Sequence, residues 1–119
     1  MADKLYDLEF LNRISNNDEV FIKEMVQSYL ESTEEYIQKA EKHLNDSNLE
    51  GLQYATHKFI PGVSFLGIKY FEHDLMVLED ECKKGIDLKD AEFLYYSCKK
   101  KIMELKEVFM NDFDVNSGS

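Results

Sequence analysis

Helix breakers are nearly absent from this chain. Among 119 residues there is one proline, Pro61, and there are five glycines. Between them apolar residues recur every three or four positions, the period of a helix with one buried face. The pattern predicts an all-α protein. At this length it predicts one domain with a single core and no room for a catalytic insertion.

Residues 5–14 read as a short amphipathic helix. Asp7 is positioned to cap it, and Leu8, Leu11 and Ile14 are spaced to bury one side. The polar cluster from Ser15 to Asp18 is a turn that starts a second helix, 18–44. There Ile22, Val26, Tyr29, Thr33, Ile37, Ala40 and Leu44 keep the helical spacing. Asn45 to Asn48 breaks it and caps a third helix, 49–66. A fourth spans 68–84, with Ile68, Phe71, Leu75, Leu78 and Cys82 inward and Gly85 as its C-terminal cap. A fifth starts at Asp87 and turns Ala91, Leu94, Cys98, Ile102, Leu105 and Phe109 inward. Four long amphipathic segments with short connections predict an up-down-up-down antiparallel four-helix bundle, with the first helix as a lid. The domain is expected over 1–113, followed by a disordered tail, 114–119.

The third helix holds the feature of interest. On a helical wheel Leu49, Leu52, Ala55, Thr56, Phe59, Val63 and Leu66 share one face, with Ile60 at its edge. His57 falls about 130° from the centre of that face, on a solvent-facing flank. Gln53 and Pro61 lie one turn away on the same side, and Ser64 two turns away. Pro61 has no amide hydrogen and its ring crowds the His57 carbonyl, so a kink is expected beside the histidine. An exposed imidazole with an open approach is what an incoming electrophile requires.

The run Thr56-His57-Lys58-Phe59-Ile60-Pro61-Gly62, with Leu66-Gly67 following, resembles the signature of histidine-containing phosphotransfer (HPt) domains of bacterial two-component phosphorelays. That signature is Ala-His-x-Leu-Lys-Gly-small, with a glycine ten residues after the histidine. The Leu78-Glu79 pair and the stretch from Asp18 to Met25 also fit the family. Ile60 departs from it, standing where the family usually has lysine.

The resemblance implies a relay role. His57 would accept a phosphoryl group from a receiver-domain aspartate and pass it to another. Histidine suits this because a ring nitrogen keeps a free lone pair near neutral pH, and phosphoryl transfer asks mainly for positioning and charge stabilisation. Gln53, Lys58 and Ser64 are candidates for the phosphate environment. Leu30, Tyr54, Ile60 and Pro61 are candidates for an apolar docking rim. The implied partners are response-regulator receiver domains, with a hybrid sensor histidine kinase as a second candidate. No cofactor is expected on this chain, Mg²⁺ belonging to the receiver.

Other functions fit less well. No His has a Glu three residues before it, and no Cys-x-x-Cys or His-Glu-x-x-His occurs, which argues against a metal site. No phosphate loop or kinase signature is present, so a phosphocarrier is expected and not a kinase. A helical adaptor, or a degenerate relative that docks receivers without carrying phosphate, is the alternative. The net charge of −10 argues against nucleic acid and anionic membranes. No signal-peptide pattern or membrane-spanning run is seen, so a cytoplasmic location is expected; a monomer is expected as well. Cys82 and Cys98 are expected to be reduced core thiols, about 10 Å out of register for a disulfide.

Overall fold

The computed structural model describes residues 5–113 and 115. Five helices follow in order: α1 (Glu9–Ser15), α2 (Glu19–Asn45), α3 (Leu49–Phe65), α4 (Glu72–Lys83) and α5 (Leu88–Phe113). Among the described residues there is no strand, only one isolated bridge between Tyr6 and Ile68. No described helix is long and apolar enough to cross a membrane.

Local chemistry sets the helix starts. Asp18 accepts hydrogen bonds from the Val20 and Phe21 amides at 3.0 and 3.2 Å and so caps α2. Asn48 does the same for α3 through the Gly51 amide at 2.9 Å. Gly85, at φ +83°, follows the end of α4 in the left-handed conformation that a helix terminus favours.

Two helix starts differ from the sequence pattern, and one crossing explains both. The backbone at Leu5–Asp7 runs alongside Gly67–Tyr70: the Asp7 amide donates to the Gly67 carbonyl at 2.8 Å and the Tyr70 amide to Leu5 at 3.4 Å. Leu5 and Tyr6 therefore stay outside α1, and residues 68–71 outside α4. Asp7 still works near the start of α1, accepting from the Glu9 amide at 2.9 Å. Ile68 and Phe71 remain fully buried although they are not helical. Their periodicity reported burial faithfully and conformation wrongly.

α2 packs on α3, α3 on α4, α4 on α5 and α5 on α2, closing a ring, with α1 against α2. Contacts run in opposite sequence order across each seam. Tyr29 meets Phe59, whereas Tyr36 reaches back to Thr56 as well. Gln53 meets Glu79, whereas Ser64 meets Glu72. Tyr70 meets Glu104, whereas Asp74 meets Lys101. Tyr29 meets Phe109, whereas Tyr36 meets Tyr95.

The core follows the spacing with a few exchanges. Leu30, Tyr36 and Tyr95 are buried, whereas Ile37 and Leu94 are only half-buried. Ile14 is 53% exposed, so only Leu11 anchors α1 fully and Leu8 partly. Cys82 and Cys98 are free and buried. The expected disordered tail lies outside the described residues except for Val115, which packs half-buried against the core.

Candidate functional site

The inner face of α3 fixes the direction in which His57 points. Thr56 is fully buried, and its Oγ1 lies 2.8 Å from the Tyr36 hydroxyl. Phe59 stacks on Tyr36, centroids 4.4 Å apart and planes 5° from parallel. These contacts on either side of residue 57 lock the rotation of the helix. His57 is left on the outer flank with its side chain 65% exposed. Pro61 and Gly62, one turn on, are also exposed and carry no long side chain across the ring.

The imidazole is held from one side. Glu79 Oε2, on α4, stands 2.8 Å from His57 Nδ1. The Glu79 side chain is only 13% exposed. The same oxygen accepts from Gln53 Nε2 at 3.3 Å and pairs with Lys83 Nζ at 3.3 Å. Burial pushes the Glu79 carboxyl up. The hydrogen bonds from His57, Lys83 and Gln53 outweigh that and hold it below its ordinary value. An ionised carboxylate only accepts, so Nδ1 carries the hydrogen of this bond. In the neutral ring the free lone pair then lies on Nε2, the nitrogen that Glu79 does not occupy.

The other expected residues separate into groups. Gln53 faces the site but spends its amide on Glu79. Lys58 is exposed and its ammonium lies 5.8 Å from the Tyr54 ring centroid. Ser64 donates its hydroxyl hydrogen to Glu72 and is not drawn to His57. Tyr54 is 62% exposed, Pro61 is exposed and Ile60 is half-buried. Leu30 is a correction. It is 1% exposed, turned into the core, and has no surface to offer a docking rim.

His43 and His73 stand apart. His43 Nδ1 lies 3.4 Å from Asn48 Nδ2 at the α2–α3 turn, and His73 is exposed on α4. Among the described residues no group of three or more His, Cys, Asp and Glu side chains could hold a metal ion.

Glu79 and Lys83 are the residues that spacing on α3 could not reveal. Glu79 carried a faint signal as half of the Leu78-Glu79 pair. Lys83 carried another, since a glutamate four residues before a lysine pairs along a helix. Neither signal said that the pair would face His57.

Comparison with curated proteins finds the phosphorelay intermediate protein rdeA of Dictyostelium discoideum, 25% identical over 118 residues. The match covers 97% of this chain and 46% of that protein, so the chain spans less than half the length of that relative. No family model matches the chain, and no solved structure does.

Proposed function

We propose that this chain is a phosphorelay intermediate that carries a phosphoryl group on His57 Nε2. The observation that carries the reading is an exposed imidazole whose Nδ1 is pinned by a nearly buried carboxylate. The similarity to a protein named for phosphorelay supports it.

In the proposed step the Nε2 lone pair attacks the phosphorus of a receiver aspartyl phosphate. The N–P bond forms and the P–O bond to the aspartyl group breaks. The carboxylate leaves with that electron pair. The ring gains positive charge, shared with Nδ1–H, and Glu79 faces that charge across 2.8 Å. In the reverse direction a second receiver aspartate attacks the phosphorus, and the N–P electrons return to Nε2. The receiver supplies Mg²⁺ and most of the charge stabilisation. This chain supplies an oriented nucleophile and a surface to dock, with no ATP site and no cofactor of its own.

The same reading takes the helical ring as an up-down-up-down bundle of the HPt kind, with α3 bent at Pro61. Response-regulator receivers are the proposed partners, with a hybrid sensor kinase as a further source of phosphate, and the chain acts as a monomer. Ile60, which gives no cation to the phosphoryl group, leaves Lys58 and Lys83 as the cations flanking the site.

A phosphorylated receiver, mixed with this protein and with His57→Gln, tests the reading. Acid-labile, alkali-stable phosphate on the native chain and none on the variant is the expected result. No label from several receivers, with the fold intact, would leave the docking-only adaptor.

A further inference from the structure

α5 presents an apolar and basic face on the side of the ring away from His57. Both α3 and α5 pack between α2 and α4, which sets them opposite each other. On the outer side of α5, Phe93 is 72% exposed, more than any other large apolar side chain described. Tyr96 beside it is 47% exposed, its ring edge held against Tyr95 with centroids 4.9 Å apart. With Lys89, Glu92, Ser97 and Lys100 they line a shallow depression of about 510 Å³. The spacing 89, 93, 96, 100 puts these residues in one line along three helical turns, about 16 Å long.

The charge here runs against the rest of the chain. Overall the sequence has 24 acidic and 14 basic residues. Around these two rings stand Lys89, Lys99 and Lys100 against Glu92 and Glu41. Lys99 places its ammonium 5.7 Å from the Tyr96 centroid while pairing with Glu41 at 2.6 Å. Lys89 and Lys100 have no ion pair among the described residues.

That combination selects an occupant. A second copy meeting this face about a two-fold axis would set the same patch against itself, lysine against lysine. Exposed phenylalanine and tyrosine offer area for a large apolar side chain, and the unpaired lysines offer partners to carboxylates on either side. We propose that the Phe93–Tyr96 face of α5 docks an acidic polypeptide segment bearing one or two large apolar side chains, supplied by a different protein. The segment leaves His57 uncovered, so docking and phosphoryl transfer proceed on opposite sides. The proposal does not rest on the relay reading.

The probe is a fluorescent synthetic peptide of aspartate and glutamate with a leucine pair one helical turn apart. Controls replace its acids by lysine or its leucines by serine. Amide shifts in the nitrogen-15-labelled protein should cluster between residues 89 and 103, and neither control should bind. Phe93→Ser and the pair Lys89→Glu/Lys100→Glu should each weaken binding by about tenfold or more. Because all three side chains are exposed, both variants should keep the native circular dichroism spectrum. Raising salt should weaken binding further. Absence of binding, shifts centred elsewhere, or affinity unchanged in both variants would overturn the proposal. Self-association in sedimentation that Phe93→Ser abolishes would overturn it too, giving the face to a second copy.

Discussion

His57 Nδ1 and Glu79 Oε2 stand 2.8 Å apart across the α3–α4 seam, although 22 residues separate them in sequence. One end of this contact is largely in water and the other is nearly buried. A buried acceptor orients an exposed ring without hiding it, and it chooses the tautomer that leaves Nε2 available. Gln53 and Lys83 in turn steady the carboxylate, so the imidazole is oriented by a small network shared between two helices.

If His57 carries the phosphoryl group as proposed, Glu79 should control the rate of its uptake without touching it. Glu79→Gln keeps an oxygen that accepts from Nδ1–H but loses the charge facing the ring in the transition state. Glu79→Ala loses both. Single-turnover uptake from a phosphorylated receiver should fall in the order native, Gln, Ala, with Ala slower by on the order of tenfold to a hundredfold. A full-rate Ala variant would mean that the contact does not orient the nucleophile.

The same carboxyl makes a statement about acid stability. Its value in the folded protein is held below the ordinary one, despite burial, by hydrogen bonds from His57, Lys83 and Gln53. A depressed carboxyl contributes stability that is fully present above the unfolded-state value of about 4.3 and lost as pH falls through the folded value. Urea midpoints of the native protein and Glu79→Gln should differ by a constant amount near neutral pH. The difference should shrink as pH drops below the ordinary carboxylate range. A gap that widens in acid would reverse the sign and contradict the geometry.

The sequence carried the fold in its periodicity and its turns. The polar clusters before α2 and α3 became caps, and Gly85 became the left-handed residue after α4. Periodicity reports which side is buried but not whether the backbone is helical there. Ile68 and Phe71 continued the pattern while the crossing at Leu5–Asp7 held them out of α4. It is also blind to exchange at the edge of a stripe. Leu30 entered the core on α2 together with Tyr36, which stacks on Phe59. The exposed flank on which His57 sits was legible because its neighbours are local. Glu79 was not, because contact between α3 and α4 is settled by packing over the whole seam.

Alkaline pH should unfold the protein steeply. Burial raises Tyr29, Tyr36, Tyr95 and Tyr6 well above the ordinary tyrosine value, and hydrogen bonds to Glu41 and Asp112 add to this at Tyr95 and Tyr6. Above pH ~10 the unfolded chain releases these protons while the folded chain keeps them, so stability falls as pH rises. Each tyrosine contributes a slope of about 1.4 kcal/mol per pH unit. Denaturation followed by tyrosinate absorbance should show the phenols ionising together with unfolding. Independent titration of all four near pH 10 in a folded protein would contradict their burial.

Cys82 and Cys98 should be silent thiols. Burial pushes Cys82 up to about 11 and Cys98 to about 12, with Glu81 and Asp74 adding to the respective shifts. Near pH 8 almost no thiolate forms at either site, and thiolate is the reactive species. A disulfide-exchange reagent should label neither quickly in the native protein and both on denaturation. Cys82, 8% exposed near the end of α4 against 1% for Cys98, should react first. Rapid labelling of Cys98 in the native state would show that α5 is not closed against the core.

Three glycines should rank in a fixed order when changed to alanine, because each meets a different constraint. At Gly62 an added Cβ meets nothing within 4 Å, and the residue is exposed inside α3. Alanine there gains helix propensity and should stabilise by up to about 1 kcal/mol. Gly85 also faces open space but sits at φ +83°, so alanine pays for a left-handed backbone, about 1–2 kcal/mol. Gly67 has both problems. Its φ is +61°, and a Cβ would fall 1.9 Å from the Asp7 carbonyl oxygen, which belongs to backbone and cannot rotate away. The Leu5–Asp7 crossing must shift or open, at a cost of about 2–4 kcal/mol. Chemical denaturation of the three variants should give stabilities in the order Gly62→Ala, native, Gly85→Ala, Gly67→Ala. If Gly67→Ala proved no worse than Gly85→Ala, the crossing would be loose in solution, and the segment before α1 would not be what ends the helical pattern at residue 67.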